Sequence, residues 1–266
     1  MLAPTLTPLL AEAAQAGQRH EQPVEVELSA GRDGQRRATL LPAGDNQERI
    51  ALDVSGTPLA ISPGVFAQAN GSLLEPLCEA VLGAAGEGKR AAELYCGAGL
   101  FTRGLAGQFA RVLAVESNPH AAADLAANLS AGGLAGRVEV LARPVERALR
   151  RITRWQPGTV VLDPPRTGLA PAVGGALVDS RAERIVYVSC DPATLARDLR
   201  SLCDGPYTLT QLEAFDLFPQ TPHVEAVAVL RATATGARGP DGTAAVHRER
   251  SGRPAKREKK ARARRR

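Results

Sequence analysis

Two side chains in this chain are equipped for covalent and proton-transfer chemistry, Cys190 and Glu225. Cys190 lies in Ser189-Cys190-Asp191-Pro192, directly after the apolar run IVYV. Asp191 has the character of a helix N-cap and Pro192 that of a first helical residue, which puts the thiol at the positive end of a helix dipole. A free thiol, with a pKa near 8.5, is only a few per cent thiolate at neutral pH, and a helix start favours the thiolate. A cysteine without such a setting packs as a small hydrophobe, which is the reading for Cys78, Cys96 and Cys203. Glu225 opens the apolar run AVAVL, where a carboxylate is costly to bury without a purpose or a partner. It reads as a proton acceptor, and His223 as a hydrogen-bonding neighbour rather than the base.

Three further segments carry polar groups at the ends of apolar runs. Tyr95-Cys96-Gly97-Ala98-Gly99 is a glycine turn between a strand and a helix, where a ligand can approach the backbone closely. About twenty residues later Val115 runs into Glu116, an acid placed to accept from the two hydroxyls of a ribose. Both NAD and S-adenosyl-L-methionine (SAM) would use such an acid. The third glycine of the dinucleotide fingerprint is missing, because Thr102 follows Phe101 and Gly104 falls too late. That favours SAM, which has no pyrophosphate to seat on a helix N-terminus. Asp163-Pro164-Pro165-Arg166 forms a stiff extended tip, with Asp163 able to bond a ligand and Arg166 able to serve a phosphate or a carboxylate.

Strand–helix alternation has to bring these segments together. Helices are predicted over 72–85, 100–108, 119–130, 145–153, 170–180 and 192–203, and strands over 91–95, 111–116, 138–142, 159–162 and 184–188. Such alternation specifies a parallel sheet covered on both faces. Ligands of open α/β sheets bind beyond the carboxyl ends of the strands, where the polar segments fall. Two last strands, 207–215 and 223–231, follow without a helix between them and form a closing antiparallel hairpin. The final strand then starts on the edge where the parallel strands end, so Glu225 and Cys190 should meet. The fold class is therefore α/β, Rossmann-like, in the layout of class I methyltransferases. The expected organisation is an N-terminal segment 1–22, a small β appendage of short hairpins over 23–62, a methyltransferase domain 63–232, and a disordered tail 233–266.

Of the net charge of +5, residues 247–266 hold eleven Lys or Arg against two Glu, leaving the body at −4. Any electrostatic hold on a polyanion is expected in that tail rather than over the fold. The cysteines show no CxxC pair and the histidines no ligand spacing, so neither a metal nor an iron–sulfur cluster is expected. No apolar run reaches membrane-spanning length, and a cytoplasmic, monomeric protein with no membrane partner is expected.

Six segments, in order over residues 60–232, resemble the RNA uridine C5-methyltransferases that make 5-methyluridine in ribosomal and transfer RNA. They are FAQANGSL at 66–73, ELYCGAGLFT at 93–102, VESNPHAAADLAANL at 115–129, LDPPRTGL at 162–169, VYVSCDPATLARDL at 186–199 and DLFPQTPHVE at 216–225. The resemblance implies SAM held by Gln68, Tyr95, Gly97, Gly99, Glu116 and Asp163. It implies Cys190 as nucleophile and Glu225 as proton acceptor, with Phe66, Gln68 and Arg166 on the substrate side. The implied partner is RNA, ribosomal ahead of transfer, with the target base out of its stack. The family's OB-like domain and four-cysteine cluster are missing from this sequence, and Leu100 stands where some members have Asn. The competing readings are a NAD-dependent oxidoreductase on a similar sheet and a non-catalytic RNA-binding or assembly factor that keeps the fold.

Overall fold

In the computed structural model, which describes residues 9–18, 25–32, 35–41, 48–68, 71–217, 221 and 224–233, the N-terminal third forms helix α1 (Leu9–Gln18) and two hairpins. The first hairpin pairs β1 (Glu25–Ala30) with β2 (Arg36–Leu41), and the second pairs β3 (Ile50–Val54) with β4 (Thr57–Ile61). Ser55 and Gly56 make the β3–β4 turn with φ of 51° and 74°, the left-handed pair that matches strand twist in a two-residue hairpin.

The alternation that follows is α2 (Leu74–Ala85), β5 (Gly88–Leu94), α3 (Thr102–Gln108), β6 (Phe109–Glu116), α4 (Pro119–Ala131), β7 (Val138–Ala142) and α5 (Val145–Trp155). It continues through β8 (Thr159–Leu162), α6 (Pro171–Ser180), β9 (Arg184–Ser189) and α7 (Pro192–Cys203) to β10 (Tyr207–Phe215) and β11 (Glu225–Ala232). The seven strands from β5 onward form one sheet in the order β10-β11-β9-β8-β5-β6-β7. The five from β5 to β9 are parallel, and β11 lies antiparallel between β9 and β10. Central strands are apolar on both faces, as a doubly covered sheet requires. Ala92, Leu94, Leu113 and Val115 pack under α5, α6 and α7, whereas Ala91, Val112 and Ala114 face α2, α3 and α4.

Local sequence explains where the helices start. Asn118 caps α4 by accepting from the N–H of His120 and Ala121 at 2.9 and 3.3 Å, and Asp191 caps α7 by accepting from Thr194 at 2.8 Å, each ahead of a first-turn proline. β5 begins earlier than its apolar pattern, because Gly88 and Arg90 pair in the ladder while exposed. The expected basic tail, from residue 234 onward, lies outside the described residues. No helix among the described residues is long and apolar enough to cross a membrane.

The β3–β4 hairpin is bonded to the main sheet layer through α4. Asn128 accepts from the N–H of Ala60 and donates to its carbonyl, both at 2.9 Å, as a neighbouring strand would, and donates to the carbonyl of Ala98 at 3.1 Å. One turn earlier, Asp124 accepts from the N–H and hydroxyl of Ser62 at 2.6 and 2.7 Å and pairs with Arg49 at 2.9 Å. Replacing Asn128 by Ala leaves three backbone groups unpaired in a buried setting, and urea unfolding should show a loss of about 2 to 4 kcal/mol.

Candidate active site

The carboxyl edge of the sheet gathers the polar segments. β5 runs into Tyr95, held at φ 61°, a left-handed conformation that costs a bulky side chain on the order of 1–3 kcal/mol and is retained only where the surroundings enforce it. The turn then doubles back, with Gly97 at φ 54° and Gly99 at φ 98°. A Cβ on Gly99 would lie 2.4 Å from Leu125 Cδ1, so this glycine allows the turn to rest on α4. A cleft of about 500 Å³ opens above the turn, lined by Phe66, Gln68, Tyr95, Gly97 and Asp163, with Leu59 and Ile61 of the second hairpin on its far side. Phe66 is 74% exposed at this cleft, an aromatic face presented to solvent.

The cleft is rich in carboxyl groups and poor in partners for them. Gln68 is buried, and its Oε1 has no hydrogen-bond partner among the described residues. Glu93, on β5 beneath the turn, accepts from the Thr102 hydroxyl at 2.5 Å. Its pKa is pushed up to about 8 by burial, with the Asp163 and Glu116 charges adding to the effect and the Thr102 bond opposing it. Asp163 is held well above the usual carboxylate range, by burial first and by the charge of Glu225 second. Glu116 is placed differently from the expectation of a free ribose acceptor. Its two oxygens take the N–H of Gly97 at 2.8 Å and of Asn118 at 2.7 Å, tying the glycine turn to the end of β6. The oxygen bonded to Asn118 also accepts from the Ser117 hydroxyl at 3.3 Å, whereas the one bonded to Gly97 retains a second lone pair, so the same carboxylate can position the turn and accept from a ligand.

Cys190 and Glu225 meet as the sequence predicts. The β9–β11 ladder ends at the pair Ser189 and Ala226, each next in sequence to one of the two, and the Glu225 charge acts on the Cys190 thiol. Glu225 is 1% exposed, its Oε1 is unpartnered, and burial raises its pKa to about 7. The thiol does not follow the sequence expectation of a lowered pKa. Burial pushes it up, and the Glu225 and Asp163 charges add to this, while the Arg166 guanidinium pulls the other way. The helix start gives little relief, because the Asp191 carboxylate already occupies it. Arg166, expected to serve a phosphate or carboxylate, thus stands beside the thiol. Cys96 also lines the cleft, but it is buried, and burial with the Glu93 and Glu116 charges drives its thiol well above the ordinary value.

Two functional positions escaped sequence reasoning. Glu93 was passed over as part of a strand, although an acid inside AAELYC is a signal of the same kind as Glu225. Asp198 holds the Asp-Pro-Pro-Arg loop. It is buried on α7, accepts from the N–H of Leu169 at 2.8 Å and from the Tyr187 hydroxyl at 2.7 Å, and lies where a Cβ on Gly168 would collide at 2.4 Å.

A sheet in this order, with a glycine turn after its first parallel strand and acids at the next strand tips, is the fold of class I SAM-dependent methyltransferases. It is similar to that of Pyrococcus abyssi tRNA (uracil-54, C5)-methyltransferase, solved with S-adenosyl-L-homocysteine, at a TM-score of 0.69 and 24% identity over 85% of this chain and 66% of that one. The model of the tRNA (uracil-5-)-methyltransferase family matches residues 51–233, and the chain belongs to that family. An uncharacterized RNA methyltransferase of Streptomyces avermitilis is 40% identical over 68% of this chain, and one of Aquifex aeolicus is 35% identical over 69%. The chain spans 42% and 43% of the length of these two relatives.

A carboxyl whose pKa is raised on folding stabilises the fold below its unfolded value and loses that contribution as pH rises through its folded value. For Glu225 the window runs from 4.5 to about 7. Urea unfolding of wild type and Glu225→Gln should therefore diverge across it, the wild type losing about 3 kcal/mol relative to the variant. Parallel profiles would show that Glu225 is not held in an apolar setting.

Proposed function

We propose that this protein methylates C5 of a uridine in RNA, with SAM as donor, Cys190 as nucleophile and Glu225 as proton acceptor. The observation that carries the reading is the thiol held within the electrostatic reach of a buried carboxyl whose Oε1 has no partner among the described residues, with Asp163 interacting with both groups and lining the cleft.

The residues present fit SAM. Glu93 and Asp163 line the cleft while Lys, Arg and His do not, among the described residues. A ligand with a sulfonium and an ammonium group would relieve the buried Glu93 and the half-buried Asp163, whereas the pyrophosphate of NAD would be repelled by them. Gln68, Tyr95, Gly97, Glu116 and Asp163 would hold the cofactor, and Gly99 keeps the turn against α4. The unpartnered Gln68 Oε1 is an acceptor ready for a ligand donor. Bound SAM would supply an electrophilic methyl group.

Uracil C5 is a poor nucleophile until a thiolate adds to C6. Cys190 as thiolate forms the S–C6 bond and shifts the electron pair of the C5–C6 double bond towards the C4 carbonyl, giving C5 enolate character. Arg166 beside the sulfur favours the thiolate this step needs. Once C5 is alkylated, Glu225 removes its proton. The electron pair released restores the double bond as the S–C6 bond breaks and Cys190 leaves as thiolate. A glutamate with a pKa of about 7 suits this exchange, because a base poised near neutrality both accepts the proton and gives it up again. Phe66, exposed at the cleft, offers a stacking face for a base drawn out of RNA.

Wild-type protein mixed with SAM and RNA containing 5-fluorouridine should form a denaturation-resistant protein–RNA adduct, and Cys190→Ala should form none. Glu225→Gln should accumulate adduct even on ordinary uridine, because proton removal is usually worth about 10² to 10⁴ in rate. Wild type that forms no adduct on any cellular RNA sinks the mechanism. Calorimetry should show binding of SAM and none of NAD, and Asp163→Asn should weaken the SAM signal.

A further inference from the structure

Helix α5 carries a run of arginines that the reaction does not use. Arg147, Arg150 and Arg154 lie on its exposed face, and Arg143 sits just ahead of it, so successive members are four, three and four residues apart. That spacing lines them up along one side of the helix, over about 10 Å from Arg147 to Arg154. The other side, Val145, Ala148, Ile152 and Trp155, is buried. None of the four guanidinium groups has a hydrogen bond, ion pair or ring partner among the described residues. Arg151 beside them differs: Glu139 clasps it with bonds of 2.9 and 2.5 Å, and it lies 4.8 Å over the Trp155 ring. The same pairing holds the Glu139 carboxyl below its usual range, and the other acid of the stretch, Glu146, is exposed in the first turn of α5 and pairs with none of the four.

The charge around this helix runs against that of the rest of the body. Residues 137–154 hold six Arg and two Glu, a surplus of four, within a body that nets −4 over residues 1–246, so the remainder nets −8. A face kept only for solubility would intersperse both signs. All the cations are arginines, whose planar fork matches phosphate oxygens in a way that lysine does not. The run begins where β7 ends, on the same sheet edge as the glycine turn and Glu116, and leads away from that edge.

We propose that the arginine face of α5 is a docking track for the phosphate backbone of RNA; the substrate class rests on the uridine methylation reading above. The electrostatic hold on RNA is then not confined to the C-terminal tail, as the charge count alone suggested.

The test uses the full chain, a fluorescein-labelled 40-nucleotide RNA of mixed sequence, and the variant Arg147→Gln/Arg150→Gln/Arg154→Gln. A second variant, Arg36→Gln/Arg181→Gln/Arg200→Gln, makes the same change in net charge at exposed arginines elsewhere. Three lost phosphate contacts should make the plot of log K against log salt shallower by about 2 and weaken binding at least tenfold at low salt, with SAM affinity unchanged. The second variant should leave the slope near that of wild type. Equal slopes for wild type and the α5 variant overturn the proposal, as does an equal loss in both variants. Loss of polyglutamate binding with RNA binding intact would also overturn it and assign the face to an acidic protein. Methyl transfer is read alongside. A wild type that methylates no uridine, yet binds RNA through α5, defeats the methylation reading and leaves the track standing.

Discussion

Three carboxyl groups, Glu93, Asp163 and Glu225, are packed at the carboxyl edge of the sheet with no cation paired to any of them among the described residues, and each has its pKa raised chiefly by burial. Burying a carboxylate without a partner costs several kcal/mol, so such groups take up protons or meet a cation. The Glu225 charge adds to the effect of burial on Asp163. This charge frustration constrains everything around it. It adds to burial in holding the Cys190 thiol above its ordinary value, and leaves Arg166 as the group that opposes the acids at the sulfur.

Such an arrangement persists only if the backbone holding it cannot relax. Three segments at that edge are fastened by buried polar side chains of other elements. Glu116 fastens the glycine turn to the end of β6. Asn128 joins the same turn to the second hairpin, which supplies one side of the cleft. Asp198 fastens the loop that carries Asp163 and Arg166. Each of these three side chains bonds main-chain groups of a distant segment, and Asp198 also accepts from the Tyr187 hydroxyl and the Arg197 guanidinium, so the frame gains rigidity from groups already engaged. The left-handed Tyr95 is the strained point of this frame, where three fastened segments leave the chain no other course.

The alternation of helices and strands was legible because central strands of a doubly covered sheet are continuous apolar runs and the helix starts carry Asn-Pro and Asp-Pro signals. The meeting of Cys190 with Glu225 was legible too, since one antiparallel strand following a parallel set must begin on the edge where the others end. The thiol's pKa was not. A helix start argues for a lowered value, and only the packed structure shows that the Asp191 cap occupies that start while Glu225 and burial act against the thiolate. Asp198 and Asn128 were invisible for a related reason. A polar residue at a helical position reads as solvent-facing unless the tertiary neighbour it bonds is known, and their main-chain partners lie 29 to 68 residues away in sequence. Glu93 was within reach of the same argument that singled out Glu225.

Charge in this molecule is sorted by depth, and the sorting bears on how one protein could serve two ligands of opposite sign. The acids lie inside the edge, where a low effective dielectric makes them act strongly over a few ångströms on a small cation and on each other. The unpaired arginines of α5 lie outside, where salt screens them beyond roughly 8–10 Å and several must act together to hold a polyanion. A net-negative body would repel RNA from most of its surface, so a local surplus of arginine would fix where RNA approaches as well as how tightly it is held. Interior acids do not cancel that surplus while they carry protons, and Glu225 and Glu93, at about 7 and about 8, remain largely or partly protonated at neutral pH. Raised carboxyl pKa values at the edge and an exposed arginine face are therefore compatible within one small domain, because the protons that relieve the first also leave the field of the second intact.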